Sequence, residues 1–146
     1  MKKIIVIYVI FFINLISAQE GVYKVKSKYD FSQTIYELKE KLQERNIKIF
    51  AEIDHSAEAK SVDLILSPTK VFIIGNPKIG TNLMLEKQEV ALHLPLKILV
   101  IQDKNGKSEI HYQKISSLIE TYKIQESLPI AENIDKAIIN ILNSLE

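Results

Sequence analysis

The chain has 146 residues, no cysteine and no tryptophan, and 19 basic against 18 acidic side chains for a formal charge of +1. The absence of cysteine excludes disulfides, thiolate nucleophiles and cysteine-bound metal together. Near-balanced charge leaves no basic footprint of the kind that releases counterions from a phosphate backbone, so neither nucleic acid nor an acidic membrane surface is expected as a partner.

The first element reads as an address. Lys2 and Lys3 precede a stretch, Ile4 to Ile16, that is apolar except for Asn14, and Ala18 then supplies a small residue, the layout of a secretory signal. The run falls short of the roughly 18 to 20 apolar residues that cross a bilayer. No cysteine follows it to carry a lipoprotein anchor. The expectation is an exported protein, periplasmic or secreted, with residues 1–18 removed between Ala18 and Gln19 and no stable membrane anchor afterwards. Ile16 departs from the small residue usual two positions before the cut, which keeps retention of the segment open as the alternative. Residues 19–146 would then carry 17 basic and 18 acidic side chains, about −1, and they have the size of one domain able to build a core without staples.

Val22, Tyr23, Val25 and Tyr29 interleave with Lys24, Lys26 and Lys28, predicting a first strand over 22–29 with one wet face. Asp30 with Gln33 three residues on resembles a capping box, and Phe31, Ile35, Leu38 and Leu42 recur at helical spacing to about Arg45. Asn46 suits the left-handed position that ends a helix. Ile47, Ile49, Ala51 and Ile53 then alternate with Lys48, Phe50, Glu52 and Asp54, predicting a second strand with one apolar face. Residues 56–62 predict a short helix, Ser67-Pro68 a break, 70–74 a buried strand, and Gly75-Asn76-Pro77 a turn, after which Gly80-Thr81 leads into a short helical stretch around Leu83. Pro95 cannot donate to a sheet ladder, so it must stand at an edge, a bulge or the start of a strand over 96–102. Asn105-Gly106 signals a hairpin into a returning strand at 108–113. Ile115, Leu118, Ile119 and Tyr122 mark one helix and 130–145 a longer one, with Pro129 in the linker. The whole is one α+β domain, ordered β-α-β-α-β(α)-β-β-α-α, with helices on one side of a mainly antiparallel sheet.

Three short stretches, Ile53-Asp54-His55, Gly75-Asn76-Pro77 and Leu94-Pro95-Leu96-Lys97, stand in an order and at spacings by which the chain resembles the domain of unknown function 302 (DUF302) family. Phe31, Thr34 and Leu38, Phe50-Ala51 and Pro68-Thr69 supply the context, and the resemblance covers about residues 23–124. It implies a curved antiparallel sheet of TATA-box-binding-protein-like topology, a homodimer, and no established activity. Likeness to a DNA-binding architecture carries no function, which resides in sites. His93 stands where an acidic residue is expected to be common, and residues 130–145 lie beyond the resemblance and read as a local addition.

Four residues are candidates for a ligand site: Asp54, His55, Asn76 and Lys97. Histidine can carry or release a proton near neutral pH, so His55 is the candidate catalytic acid or base, or a ligand. Neighbours on a strand point to opposite faces, so the other reading is that Asp54 or His55 caps the following helix. Asn76 emerges at the end of a buried strand, where it either meets a small ligand or bonds its own turn. Lys97 is either an anion clamp, a base if burial favours its neutral form, or a solvated lysine. Glu52 and Asp54 share a strand face as a carboxylate pair or as a plain exposed face. His55, His93 and His111 lack the short spacing of a metal site, so no metal and no cofactor is expected. No glycine-flanked serine elbow is present. The leading expectation is a non-enzymatic homodimer that binds a small molecule or a partner between the four candidates. A small enzyme using His55 with Lys97 is the alternative, and a purely structural envelope stress protein the third reading.

Overall fold

The computed structural model describes residues 21–124 and 126–146, and the signal-like segment lies outside the described residues. Its elements follow the predicted order: β1 (Val22–Lys26), α1 (Phe31–Glu44), β2 (Lys48–Asp54), α2 (His55–Ser61), β3 (Thr69–Gly75), α3 (Pro77–Glu86), a 3₁₀ turn (Gln88–His93), β4 (Leu96–Gln102), β5 (Ser108–Gln113), α4 (Ile115–Tyr122) and α5 (Leu128–Asn143). The strands form one five-stranded sheet in the order β1-β5-β4-β3-β2, with every neighbouring pair antiparallel. The fold is the expected α+β arrangement, with β1 and β2 as the edge strands among the described residues.

Strand alternation decides which face is covered. Phe72 and Ile74 of β3, Ile98 and Val100 of β4, and Ile110 and Tyr112 of β5 are all buried, and they form one cluster with Leu38 and Leu42 of α1, Ile115 and Ile119 of α4, and Ile138 and Leu142 of α5. Burying a side chain of this size contributes about 1.5–3 kcal/mol. On the opposite face Val71, Ile73, Leu99 and Ile101 are half-buried and Lys97 is exposed, and among the described residues the cluster of buried helix side chains lies on the first face.

Strand β2 departs from its predicted alternation. Its register against β3 shifts between Ile49 and Ala51, leaving Phe50 in a bulge. One inserted residue exchanges the faces of everything after it. Ile49 stands opposite buried Ile74, but beyond the bulge it is Glu52 and Asp54 that stand opposite Phe72 and Lys70, while Ala51 and Ile53 turn to the face away from the helix cluster. Glu52 accordingly meets Lys39 of α1.

Strand β1 is shorter than predicted, ending at Lys26, because the Ser27 hydroxyl turns the chain toward α1. It accepts the Tyr29 N–H at 3.2 Å and the Thr34 hydroxyl at 2.8 Å. Asp30 caps α1 through the Gln33 N–H at 2.8 Å, yet the Gln33 side chain bonds Glu37 rather than reaching back, so only half of the capping box forms. Asn46 takes the left-handed conformation expected of it, φ 55°. Pro129 lies in the first turn of α5 rather than in the linker, a place where its missing N–H costs nothing.

The end of the chain is tied into the domain. No side chain caps α4 from its own N-terminus; buried Asp135 of α5 does so instead, accepting the Ile115 and Ser116 N–H groups at 2.9 and 3.0 Å and the Tyr112 hydroxyl at 2.7 Å. Burial, and then the Asp135 carboxylate beside it, push the Tyr112 phenol far above its ordinary range, so it remains a donor. Beyond α5, the Leu145 carbonyl accepts the Lys28 N–H at 3.0 Å. Among the described residues no helix is long and apolar enough to cross a membrane.

Candidate functional site

The four candidate residues are distributed over three places. Asp54 ends β2 and caps α2, its Oδ1 accepting the Ser56 hydroxyl at 2.6 Å and the Ala57 N–H at 3.0 Å. Those two donors, with Lys70 adding a smaller effect from 3.4 Å, hold its carboxyl below the usual aspartate range. His55 is the first residue of α2 and is exposed. The capping reading of this pair is therefore the one the geometry supplies.

Asn76 lies just past the other end of β3, about 20 Å along the strand from Lys70, the partner of Asp54. It caps α3, with Oδ1 3.0 Å from the Lys78 N–H and 3.4 Å from the Ile79 N–H, and Pro77 occupies the first turn. The predicted free-standing turn at Gly75-Asn76-Pro77 is thus a strand-to-helix junction, and α3 runs unbroken through Gly80-Thr81 because both the cap and the proline start it early. Lys97 stands opposite Ile73, on the face away from the helix cluster. From the Asp54 position it is about 10 Å along the strands and two strands across. His55 and Lys97 therefore cannot share a substrate atom, and the pocket expected between all four residues is not formed.

The structure instead brings together Gly75-Asn76-Pro77 and the first three residues of the Leu94-Pro95-Leu96-Lys97 stretch. A cavity of about 690 Å³ opens at the α3 end of the sheet, lined by Gly75, Asn76 and Pro77, by Leu94, Pro95 and Leu96, and by Phe50 from the bulge. Its remaining walls come from Arg45 and Asn46 after α1, Leu83 and Met84 of α3, and Ile134, Ala137 and Ile138 of α5. Gly75 stands at a close approach. A Cβ on it would stand 3.2 Å from the Phe50 ring and 3.6 Å from Pro95, so glycine lets the ring lie against the end of the sheet. The Leu94-Pro95 peptide is cis, and Pro95 comes immediately before β4, as its missing donor demands.

Phe50, Arg45 and the α5 residues are absent from the sequence-based candidates. One signal for Phe50 existed: a large aromatic in the register otherwise held by Lys48, Glu52 and Asp54 does not fit a wet face, and marks a change of register. The other histidines are engaged elsewhere. His93 Nε2 lies 3.0 Å from the Tyr122 hydroxyl, joining the 3₁₀ turn to α4, and His111 is 3.3 Å from Glu109. Among the described residues no three metal-ligating side chains cluster.

An open antiparallel sheet, helices on one face, and a cavity at the end where β3 and β4 meet α3 define the class as an α+β domain with an end-of-sheet site. The chain belongs to the DUF302 family: the family described as domain of unknown function DUF302 matches residues 23–145. That match includes α5, beyond the limit near 124 that the tripeptides suggested. A crystal structure of an uncharacterized conserved DUF302 protein from Bacillus stearothermophilus superposes with a TM-score of 0.81 at 21% identity, covering 87% of this chain and 99% of that one. Similar sequences occur in proteins named fluoride-specific ion channel FluC 1, from Brucella suis and Brucella abortus. Each is 37% identical over 87 residues, 60% of this chain and 34% or 32% of theirs. The chain thus spans about a third of the length of these relatives.

Proposed function

We propose that this chain is an exported, non-enzymatic domain that acts as a homodimer and holds an apolar small molecule in the cavity at the α3 end of its sheet. The observation that carries this reading is the lining. The Gly75-Asn76-Pro77 and Leu94-Pro95-Leu96 stretches meet there with aliphatic walls, and no carboxylate, histidine or lysine is among the lining residues. A site dominated by apolar side chains with a few polar groups at its edge is built to enclose a ligand. Of the residues expected to bind, Asn76 alone belongs to it.

Two further features support the wider reading. The face away from the helix cluster, where Val71, Ile73, Leu99 and Ile101 form an apolar strip, offers a surface for a second copy. The segment from Lys2 to Ala18 has the layout of an export signal. In the relatives named as fluoride channels, we propose that the shared third is a water-facing accessory rather than the conducting part, since no described helix here is long enough to span a membrane.

Native mass spectrometry of the protein purified after export tests all of this. The expected result is a mass beginning at Gln19, a dimer, and a co-purifying organic molecule that is lost in Ala137→Trp, whose indole obstructs part of the cavity. A clean monomer with nothing attached overturns the reading.

A further inference from the structure

The cavity is graded. Its floor is Ile74 and Leu83, fully buried, with Ile138 at 2% exposure, whereas Arg45, Asn46 and Asn76 at its mouth are exposed. Arg45 is the single charged residue in the lining, and among the described residues it forms no ion pair. The adjacent Glu44 carboxylate is turned to Lys41, at 3.4 Å. Outside the lining, Lys48 lies 5.0 Å from the centre of the Phe50 ring, itself a lining residue. The mouth thus carries one guanidinium and the floor is hydrocarbon.

We infer that the occupant is an anionic amphiphile, a single aliphatic chain laid into the cavity with a carboxylate at Arg45; this rests on the cavity-binding reading above. Guanidinium presents a planar fork of donors that matches a carboxylate with two parallel bonds. A charge-assisted pair of this kind is stronger than a neutral hydrogen bond. The aliphatic walls contribute in proportion to the apolar area they take from water, which an extended chain supplies along its length. The volume, about 690 Å³, lies within the roughly 300–1,000 Å³ that encloses one molecule of drug-like size. Asn76 commits Oδ1 to its helix cap, which leaves its amide as a second donor at the mouth.

Isothermal titration calorimetry on the purified protein separates head from tail, using dodecanoate, dodecanol and dodecyltrimethylammonium below their micelle-forming concentrations. The carboxylate should bind at least about tenfold tighter than the alcohol, and the cation weakest. Arg45→Gln should bring dodecanoate to the affinity of dodecanol and leave dodecanol unchanged, and Ala137→Trp should remove binding of both. Equal binding of acid and alcohol, indifferent to Arg45→Gln, overturns the anionic assignment while the cavity reading stands. Failure of all three chains to bind the unsubstituted protein takes down the cavity reading and this assignment together.

Discussion

The two ends of the central strands begin a helix with the same device and end with opposite results. At one end β2 passes into α2 through Asp54, whose side chain caps the helix; at the other β3 passes into α3 through Asn76, whose side chain does likewise. Helix α2 buries none of its residues, while α3 buries Leu83 and walls a cavity. The difference lies in the residues after each cap. Ala57 and Ala59 give α2 nothing large to bury, whereas α3 carries Leu83, fully buried, with Ile79 four residues before it also lining the cavity. A polar residue at a strand end is thus a poor guide to a site; the apolar spacing behind it decides whether a cavity forms.

That comparison is broken most forcefully at Asp135. The cavity end depends on α5 for Ile134, Ala137 and Ile138, and α5 is fixed to α4 and β5 through the three bonds that Asp135 accepts. Asp135→Ala leaves two buried donors and one part-buried donor without a partner and is expected to cost on the order of 3 kcal/mol. Asp135→Asn, which keeps one acceptor oxygen, should cost about half as much. Denaturant midpoints that shift with an unchanged slope would report it, and ligand binding should weaken along with stability. No residue of α2 should approach this effect.

The caps sharpen the comparison at about 1 kcal/mol each, the usual cost of replacing such a residue by alanine. Asp54→Ala and Asn76→Ala should be similar at pH 7 and diverge in acid. The Asp54 carboxyl is held below its unfolded value near 3.9, chiefly by the Ser56 hydroxyl and the Ala57 N–H. Its contribution is therefore complete above that value and fades as the pH falls through the lower, folded one. Asn76 does not titrate, so its loss should cost the same at pH 7 and pH 3. Urea titrations of both variants at the two pH values measure the difference, and a pH-dependent Asn76→Ala would mean that the two junctions are not the same device.

The order of the elements was legible because periodicity changes cleanly along this chain, from the alternating lysines of β1 to the spaced leucines of α1 and the Asn105-Gly106 hairpin. Three features were not. The bulge at Phe50 adds one residue without changing composition, so the alternation from Ile47 to Ile53 reads as continuous although its faces exchange midway. The early start of α3 was hidden because Asn-Pro reads equally as a turn and as a capped first helical turn. Asp135 gave no local sign at all, since it caps a helix that begins 20 positions before it in sequence. The family stretches were visible, but as a line; only the antiparallel pairing of β3 with β4 sets Gly75 beside Pro95 and leaves Asp54 at the far end.

The smallest effect is expected at Ile65. It follows α2 in a run with Val62, Leu64 and Leu66, all exposed, so a polar replacement removes no buried contact. Ile65→Ser should change the unfolding free energy by less than about 0.5 kcal/mol. The same change at Leu83, fully buried under the cavity, removes both packing and ligand contact and should cost several-fold more. Dodecanoate affinity provides the stricter comparison, because Ile65 lies beyond α2 at the end of β3 opposite Asn76. Unchanged affinity in Ile65→Ser, beside lost affinity in Leu83→Ser, is the result of two ends that act independently. Weakened binding in Ile65→Ser would instead show that the loop after α2 is coupled to the cavity, and that the end of the sheet without a site takes part in forming it.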